Sequence, residues 1–259
     1  MARTETIESI RRRYRSRDVD LLLADFLGRP VSYVVAHGED LVDQSPIDAA
    51  MQRRLAGEPL QYIRGKTEFF GREFYIDDRV LIPRPETEVV VETAIARIGR
   101  GARVVDIGTG SGCIAVTLAL ERPDLRVVAT DASIAALAVA RRNGAKNLVA
   151  CDVLSAFVRD FDWIVSNPPY VSEAEVAQLA VEVRDYEPRS ALTPGPVGTE
   201  AIERILEQAG RARVILEIGF GQAQLVRDLA FARHFDVDEV RNDLAGIPRV
   251  IVLSRHGWK

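Results

Sequence analysis

The sequence predicts an α/β protein: a mostly parallel sheet covered by helices, closed by an antiparallel pair, with a small helical domain in front. Three observations predict it. From residue 102 onward, strand-like and helix-like runs alternate, which is the pattern of parallel strands joined by crossover helices. The last two strand-like runs have no helix between them, which suits an antiparallel hairpin at the sheet edge. The first sixty residues carry helical periodicity.

In the N-terminal stretch, DVDLLLADFLG has apolar positions at helical spacing, stops at Gly28 and has Pro30 beyond. SPIDAAMQRRLAG opens with Ser45 as N-cap, Pro46 in the first helical position and Asp48 in the first turn, and closes at Gly57. Residues 1–64 thus read as a domain of four or five short helices. In TEFFGREFYIDDRVLI, aromatic and β-branched residues flank Gly71; this reads as a β-hairpin or two extended strands, and residues 65–82 as the linker. Pro83 and Pro85 hold the chain extended before the helix in PRPETEVVVETAIARIG. Residues 83–259 form the sheet domain. Its parallel strands are RVVDIG, LRVVATD, NLVACD, FDWIVS and RVILEIG; FDVDEVRND and RVIVLSR close it.

Composition excludes several classes of function. Hydrophobic residues make up 47% and charged residues 28%, ordinary for a globular chain. No apolar run approaches the ~20 residues that span a bilayer. The charged start, MARTETIESIRRRYRSRD, has no apolar core like that of a secretory signal, so a cytoplasmic protein is expected. Cys113 and Cys151 make no disulfide framework and read as buried small hydrophobes. His37, His234 and His256 have no metal-ligand spacing, so no metal site is assigned. The net charge of −4 argues against a surface given over to nucleic acid. Arg11, Arg12, Arg13, Arg15 and Arg17 cluster near the start; a solvated helix face is the favoured reading, a partner-facing patch the alternative.

The first strand of the sheet runs into Gly108-Thr109-Gly110-Ser111-Gly112, and a helix comes at once. Glycines there let the backbone turn sharply and approach a ligand. The spacing lacks the last glycine or alanine of G-x-G-x-x-G, and no Gly-Lys-Ser/Thr is present after it. Asp131, at the end of the next strand, suits hydrogen bonds to ribose hydroxyls. Asp152, at the end of the third, can reach an adenine amino group, with Val153 packed on the ring. Alternatively both acids cap the turns after them.

The strongest signal is Asn167-Pro168-Pro169-Tyr170, after the strand FDWIVS. Proline at two successive positions makes the loop stiff and keeps Asn167 extended. The Asn167 side-chain oxygen and the Pro168 carbonyl can then accept the two hydrogens of one planar –NH2 group, and Tyr170 can offer it a flat surface. The nitrogen of an amide or aromatic amine is a poor nucleophile because its lone pair is delocalised. Holding both hydrogens directs that lone pair and favours it electrostatically, without a strong base.

With these motifs, and with Gly57–Tyr62, Phe69-Phe70-Gly71, LIPRPETE (Leu81 to Glu88), Tyr186-Glu187-Pro188, LEIGFGQ (Leu216 to Gln222) and the stretch from Asp243 to Arg249, the chain resembles the release-factor glutamine-N5 methyltransferases of bacteria and organelles. The Ile-Pro-Arg-Pro-Glu-Thr-Glu block discriminates them from nucleotide methyltransferases, which share the Asn-Pro-Pro-Tyr loop. The resemblance implies a Rossmann-like class I methyltransferase sheet. It implies S-adenosyl-L-methionine as methyl donor, and the glutamine of a Gly-Gly-Gln motif in class-1 peptide-chain release factors as acceptor. It implies that the N-terminal helical domain helps recognise the protein substrate. Gly108 to Gly112, Asp131 and Val153 would line the cofactor site, Asn167 would lie near both cofactor and glutamine, and Pro85 and Glu86 near the substrate pocket. The chain departs from the family pattern at Val153, where an aromatic residue is usual, in the short Arg142–Asp152 segment and in residues 193–198. Two rivals remain: an N-methyltransferase of DNA or RNA base amino groups, and a non-catalytic adaptor that binds S-adenosylmethionine or release factors. A monomer without stable nucleic-acid binding is expected.

Overall fold

The computed structural model describes residues 3–158 and 161–257; the outer ends of the expected 1–64 and 83–259 segments, and positions 159 and 160, lie outside the described residues. The chain divides into two compact units, one of Met1–Gly65 with Val181–Tyr186, the other of Lys66–Ala180 with Glu187–Lys259.

The smaller unit contains β1 (Thr4–Thr6), α1 (Ile7–Tyr14), α2 (Arg17–Leu27), α3 (Val31–Ala36), β2 (Leu41–Asp43), α4 (Ser45–Leu55) and α5 (Leu60–Arg64). Five helices are described before Gly65, the upper end of the expected four or five. The pairing of β1 with β2 was not legible, since three-residue strands leave no period to read. Ile7, Ile10, Val19, Leu23, Val34, Ile47 and Met51 form its core. Ser45 does not cap α4 from outside: it is the first helical residue, and its N–H donates to Asp43 Oδ1 at 2.9 Å. The carboxylate two residues upstream satisfies that otherwise orphaned donor. Of the arginine cluster, Arg11 pairs with Asp20 and Glu8, Arg12 with Glu8, and Arg13 with Asp48 and Glu5. These three side chains are held within the unit's own surface.

The larger unit starts with a hairpin, β3 (Lys66–Phe69) and β4 (Arg72–Tyr75). Its Phe69 and Phe74 are buried in the sheet core, so the hairpin packs with the sheet instead of forming a connector of its own. After a 3-10 turn at Pro85–Thr87 come α6 (Glu88–Arg97), β5 (Arg103–Ile107), α7 (Cys113–Glu121), β6 (Arg126–Asp131), α8 (Ile134–Arg142), β7 (Leu148–Ala150) and β8 (Trp163–Ser166). Short helices α9 (Glu173–Val176), α10 (Val181–Arg184, in the smaller unit) and α11 (Arg189–Leu192) lead to α12 (Glu200–Gln208), β9 (Arg213–Glu217), α13 (Ala223–Ala232), β10 (Phe235–Asn242) and β11 (Pro248–Arg255).

The sheet order is β10-β11-β9-β8-β5-β6-β7. β7, β6, β5, β8 and β9 are mutually parallel, and β11 and β10 close the edge antiparallel. Alternate residues of each strand enter opposite cores. Val104, Trp163, Val165, Ile215, Val250 and Val252 join one; Val105, Ile164, Val214, Leu216, Ile251 and Leu253 join the other. Helices α6 and α7 complete the first core and α12 and α13 the second. Burial on both faces explains why these strands read as continuous apolar runs.

Candidate active site

From β5 the chain runs outward through β6 to β7, then returns to β8 on the other side of β5. Such a reversal opens a crevice at the carboxyl ends of the strands. A cavity of about 430 Å3 lies there, within the usual range for small-ligand sites. Loop residues at the ends of four successive strands line it: Gly108–Ser111 after β5, Asp131–Ser133 at the end of β6, Cys151–Val153 after β7 and Asn167–Pro169 after β8. Residues 79–81, Pro83, Thr87 and parts of α11 and α12 complete the wall.

The glycine loop divides its labour. Gly108 has φ +69°, and a Cβ added there would meet no atom within 4 Å; it borders the cavity, so its bareness leaves room for a ligand. Gly112 (φ +82°) does not line the cavity, contrary to expectation. A Cβ there would meet Ala140 Cβ at 3.1 Å and Ala145 Cβ at 3.3 Å, so Gly112 serves the close approach of α7 to α8. Asp131 braces the loop: Oδ2 accepts from Gly110 N at 2.9 Å and Oδ1 from Ser133 N at 2.8 Å. Burial raises its pKa. Each oxygen keeps a second lone pair, so capping and ligand binding are compatible.

Below the loop lies Asp106, fully buried, a residue missed from sequence. Its Oδ2 accepts from Thr109 Oγ1 at 2.6 Å and from Ala115 N at 3.2 Å, while Oδ1 has no partner among the described residues. Burial pushes this carboxyl up to about 7. Cys113 is buried too, its thiol pushed up to about 12 by burial, and is inert at neutral pH.

The third acid differs from expectation. β7 ends at Ala150, so Asp152 lies in the turn beyond it. Its exposed carboxylate accepts from Arg204 Nη1 at 3.2 and 3.3 Å. β7 is itself the edge strand and pairs with β6 over three residues only, too few to carry the acid onto the sheet. Val153 is buried, borders the cavity and has φ +52°, a conformation that β-branched residues rarely adopt.

Asn167 leaves β8 with its Nδ2 donating to Thr87 Oγ1 at 3.0 Å. Among the described residues neither Asn167 Oδ1 nor the Pro168 carbonyl accepts a hydrogen bond, and both residues border the cavity. Thr87 is buried and donates to Glu217 Oε2 at 2.6 Å. Tyr170 does not line the cavity; its hydroxyl donates to Glu217 Oε1 at 3.2 Å. Its ring is mostly buried and its hydroxyl is pushed above the usual tyrosine range, first by burial and then by the Glu217 charge. Pro85 and Glu86 also lie outside the lining: the 3-10 turn that they begin places Thr87 at the wall instead.

S-adenosyl-L-methionine fits these residues: the cavity is large enough, the bare Gly108 opens onto it, and the acid that ends the second strand, Asp131, borders it.

Residues 85–195 match the methyltransferase small domain and residues 4–65 the PrmC N-terminal domain. The chain is 47% identical over 223 residues to the release factor glutamine methyltransferase of Nitratidesulfovibrio vulgaris, covering 79% of this chain and 75% of that one. It is 37% identical over 279 residues to that of Bradyrhizobium diazoefficiens, covering 95% and 94%. Among solved structures, a methyltransferase from Pyrococcus furiosus shares the fold with a TM-score of 0.55 at 16% identity, over 80% of this chain and 98% of that one. The glycine loop, the Asn-Pro-Pro-Tyr loop and these likenesses agree: the chain belongs to the release factor glutamine methyltransferase family, enzymes that use S-adenosyl-L-methionine as methyl donor.

Proposed function

We propose that this chain transfers a methyl group to the side-chain amide nitrogen (N5) of the glutamine in the Gly-Gly-Gln motif of class-1 release factors, and so modulates translation termination. One observation supports it most. Asn167 has its amide nitrogen tied to Thr87, which leaves its oxygen without a partner among the described residues, at the wall of the cavity where the cofactor fits.

When bound, S-adenosyl-L-methionine supplies a methyl group activated by its sulfonium. The residues of the chain do the rest. Asn167 Oδ1 and the Pro168 carbonyl each accept one N–H of the glutamine amide, which fixes the nitrogen and stabilises the positive charge that develops on it. The rigid Pro168-Pro169 pair keeps both acceptors in place without reorganisation. An N-methylated amide that still carries its extra proton is strongly acidic, and loses it to water without a dedicated base. Gly108, Gly110 and Asp131 hold the donor, with Asp152 and Val153 at the adenosine end. A monomer is the proposed working form. The substrate acts at the ribosome, so the cytoplasm is the expected setting; among the described residues no helix is long and apolar enough to cross a membrane.

The test is transfer of a labelled methyl group to purified release factor, to its Gln→Ala variant in the Gly-Gly-Gln motif, and to nucleic acid. Label on the native release factor alone supports the assignment. Label on nucleic acid, or none on the release factor, refutes it.

A further inference from the structure

Glu217 is a carboxylate at 1% exposure, at the end of the strand beside the catalytic loop. In the parallel pairing of β8 with β9, Ser166 lies opposite Leu216, so Asn167 and Glu217 leave their strands side by side. Thr87 joins them, donating to Glu217 Oε2 at 2.6 Å and accepting from Asn167 Nδ2 at 3.0 Å. Tyr170, at the other end of the same tetrapeptide, donates to Oε1 at 3.2 Å. One carboxylate therefore holds both ends of the loop.

The chain of bonds has a direction, set by counting protons. An ionised carboxylate only accepts. Thr87 has a single hydroxyl hydrogen, and Glu217 takes it. The Thr87 oxygen then has only lone pairs left for Asn167, which must present its –NH2 end. The Asn167 oxygen is thereby turned toward the cavity. A flipped amide would set two acceptors against each other in a buried site, at about the 3.0 Å spacing seen for the present bond. A neutral side chain at position 217 can donate to Thr87, which frees the hydroxyl hydrogen to meet Asn167 Oδ1 and lets the amide turn over.

We infer that Glu217 is a positioning residue: acting through Thr87, it fixes which end of the Asn167 amide faces the acceptor nitrogen. It gives the Thr87 of the Pro-Glu-Thr-Glu block a chemical task that the cavity alone does not show. The role rests on Asn167 holding that nitrogen.

The test uses the full chain and its variants Glu217→Gln, Thr87→Val and Thr87→Ser, plus the Glu217→Gln/Thr87→Val double variant. Single-turnover rate, KM for release factor and cofactor Kd are measured, with thermal melts for folding. Glu217→Gln and Thr87→Val are each expected to lower the rate about 10- to 100-fold, the usual scale for a group that orients a reactive one, with cofactor Kd unchanged within about twofold. Thr87→Ser, which keeps the hydroxyl, should restore most of the rate. The double variant should be no slower than the slower single variant, since both act on one amide. Folded variants with the wild-type rate overturn the inference alone. So does a rate loss matched by lost cofactor binding and lower melting temperature, or one that multiplies in the double variant. A wild-type chain inactive on release factor overturns the assignment of Asn167 and this role with it.

Discussion

Gly108 and Gly112 belong to one loop, yet they are expected to fail differently when changed to alanine. At Gly112 (φ +82°), the new methyl group would sit 3.1 Å from Ala140 Cβ, 3.2 Å from Ala140 Cα and 3.3 Å from Ala145 Cβ. Left-handed backbone costs an alanine about 1–2 kcal/mol, and forcing a methyl group into a packed contact adds about 1–3 kcal/mol. A midrange loss of about 3 kcal/mol lowers the melting temperature by roughly 6–12 °C in a unit of this size. At Gly108 (φ +69°) only the backbone contribution applies, because nothing lies within 4 Å of the added Cβ. There the methyl group enters the cavity, and cofactor Kd is expected to rise at least about tenfold, equivalent to ~1.4 kcal/mol. Thermal melts and calorimetric titration with S-adenosyl-L-methionine measure the two effects separately. Gly112→Ala should be the less stable protein and Gly108→Ala the weaker binder. Equal stability losses with equal affinities would show that the loop does not divide packing from binding in this way.

Three further outcomes are expected of the same unit. Asn143 accepts from Tyr75 N at 2.8 Å and donates to Tyr75 O at 2.8 Å and to Ser111 O at 2.9 Å; Asn143→Ala should cost about 2–3 kcal/mol at about 1 kcal/mol per bond, and hydrogen exchange at the Tyr75 amide should quicken. Burial raises both Glu217 and Asp106 to about 7, well above the value of about 4 in an unfolded chain. A carboxyl with its folded pKa raised contributes stability that is full below its unfolded pKa and is lost as pH rises through the folded one. Unfolding free energy should therefore decline between about pH 4 and pH 7, and Glu217→Gln should remove part of that slope. Arg249, Glu86, Thr87 and Tyr170 are the groups that act on Glu217. The methylation rate should rise over the same interval, because only ionised Glu217 orients Thr87; a rate that falls there contradicts the proton count.

What the sequence made legible was whatever depends on neighbours in the chain. RVVDIG, FDWIVS and RVILEIG announce buried parallel strands because their apolar residues meet a core on one face or the other. Gly108 to Gly112 announce a ligand loop because only glycine tolerates those backbone angles cheaply. Even so, the sequence does not separate Gly108, which is open to the cavity, from Gly112, which is closed by Ala140 and Ala145. That difference lies in the packing of α7 on α8. Asp152 shows the same limit at a strand end: NLVACD reads as a strand closing on its acid, but pairing stops at Ala150, and Arg204, from a helix 52 residues away, receives the carboxylate.

The groups that escaped detection are those whose partners are remote. Thr87 lies 80 residues from Asn167 and 130 from Glu217, and no local period connects the three. A signal was nevertheless present. RVILE has the apolar run of a strand buried on both faces, and it ends in an acid that such a strand cannot hold without partners. Asp106, one residue before the end of RVVDI, is likewise an acid in an apolar run. A carboxylate at the carboxyl end of a parallel strand, beside the loop that carries Asn167, is at the sheet's functional edge. Burial there costs enough that the group must be satisfied by specific donors. Glu217 has found them in Thr87 and Tyr170, whereas Asp106 has one oxygen unmet among the described residues. The satisfied acid is built to hold the loop, and the unsatisfied one sits beneath the glycine loop, bonded to Thr109 and Ala115 and set back from the cavity wall.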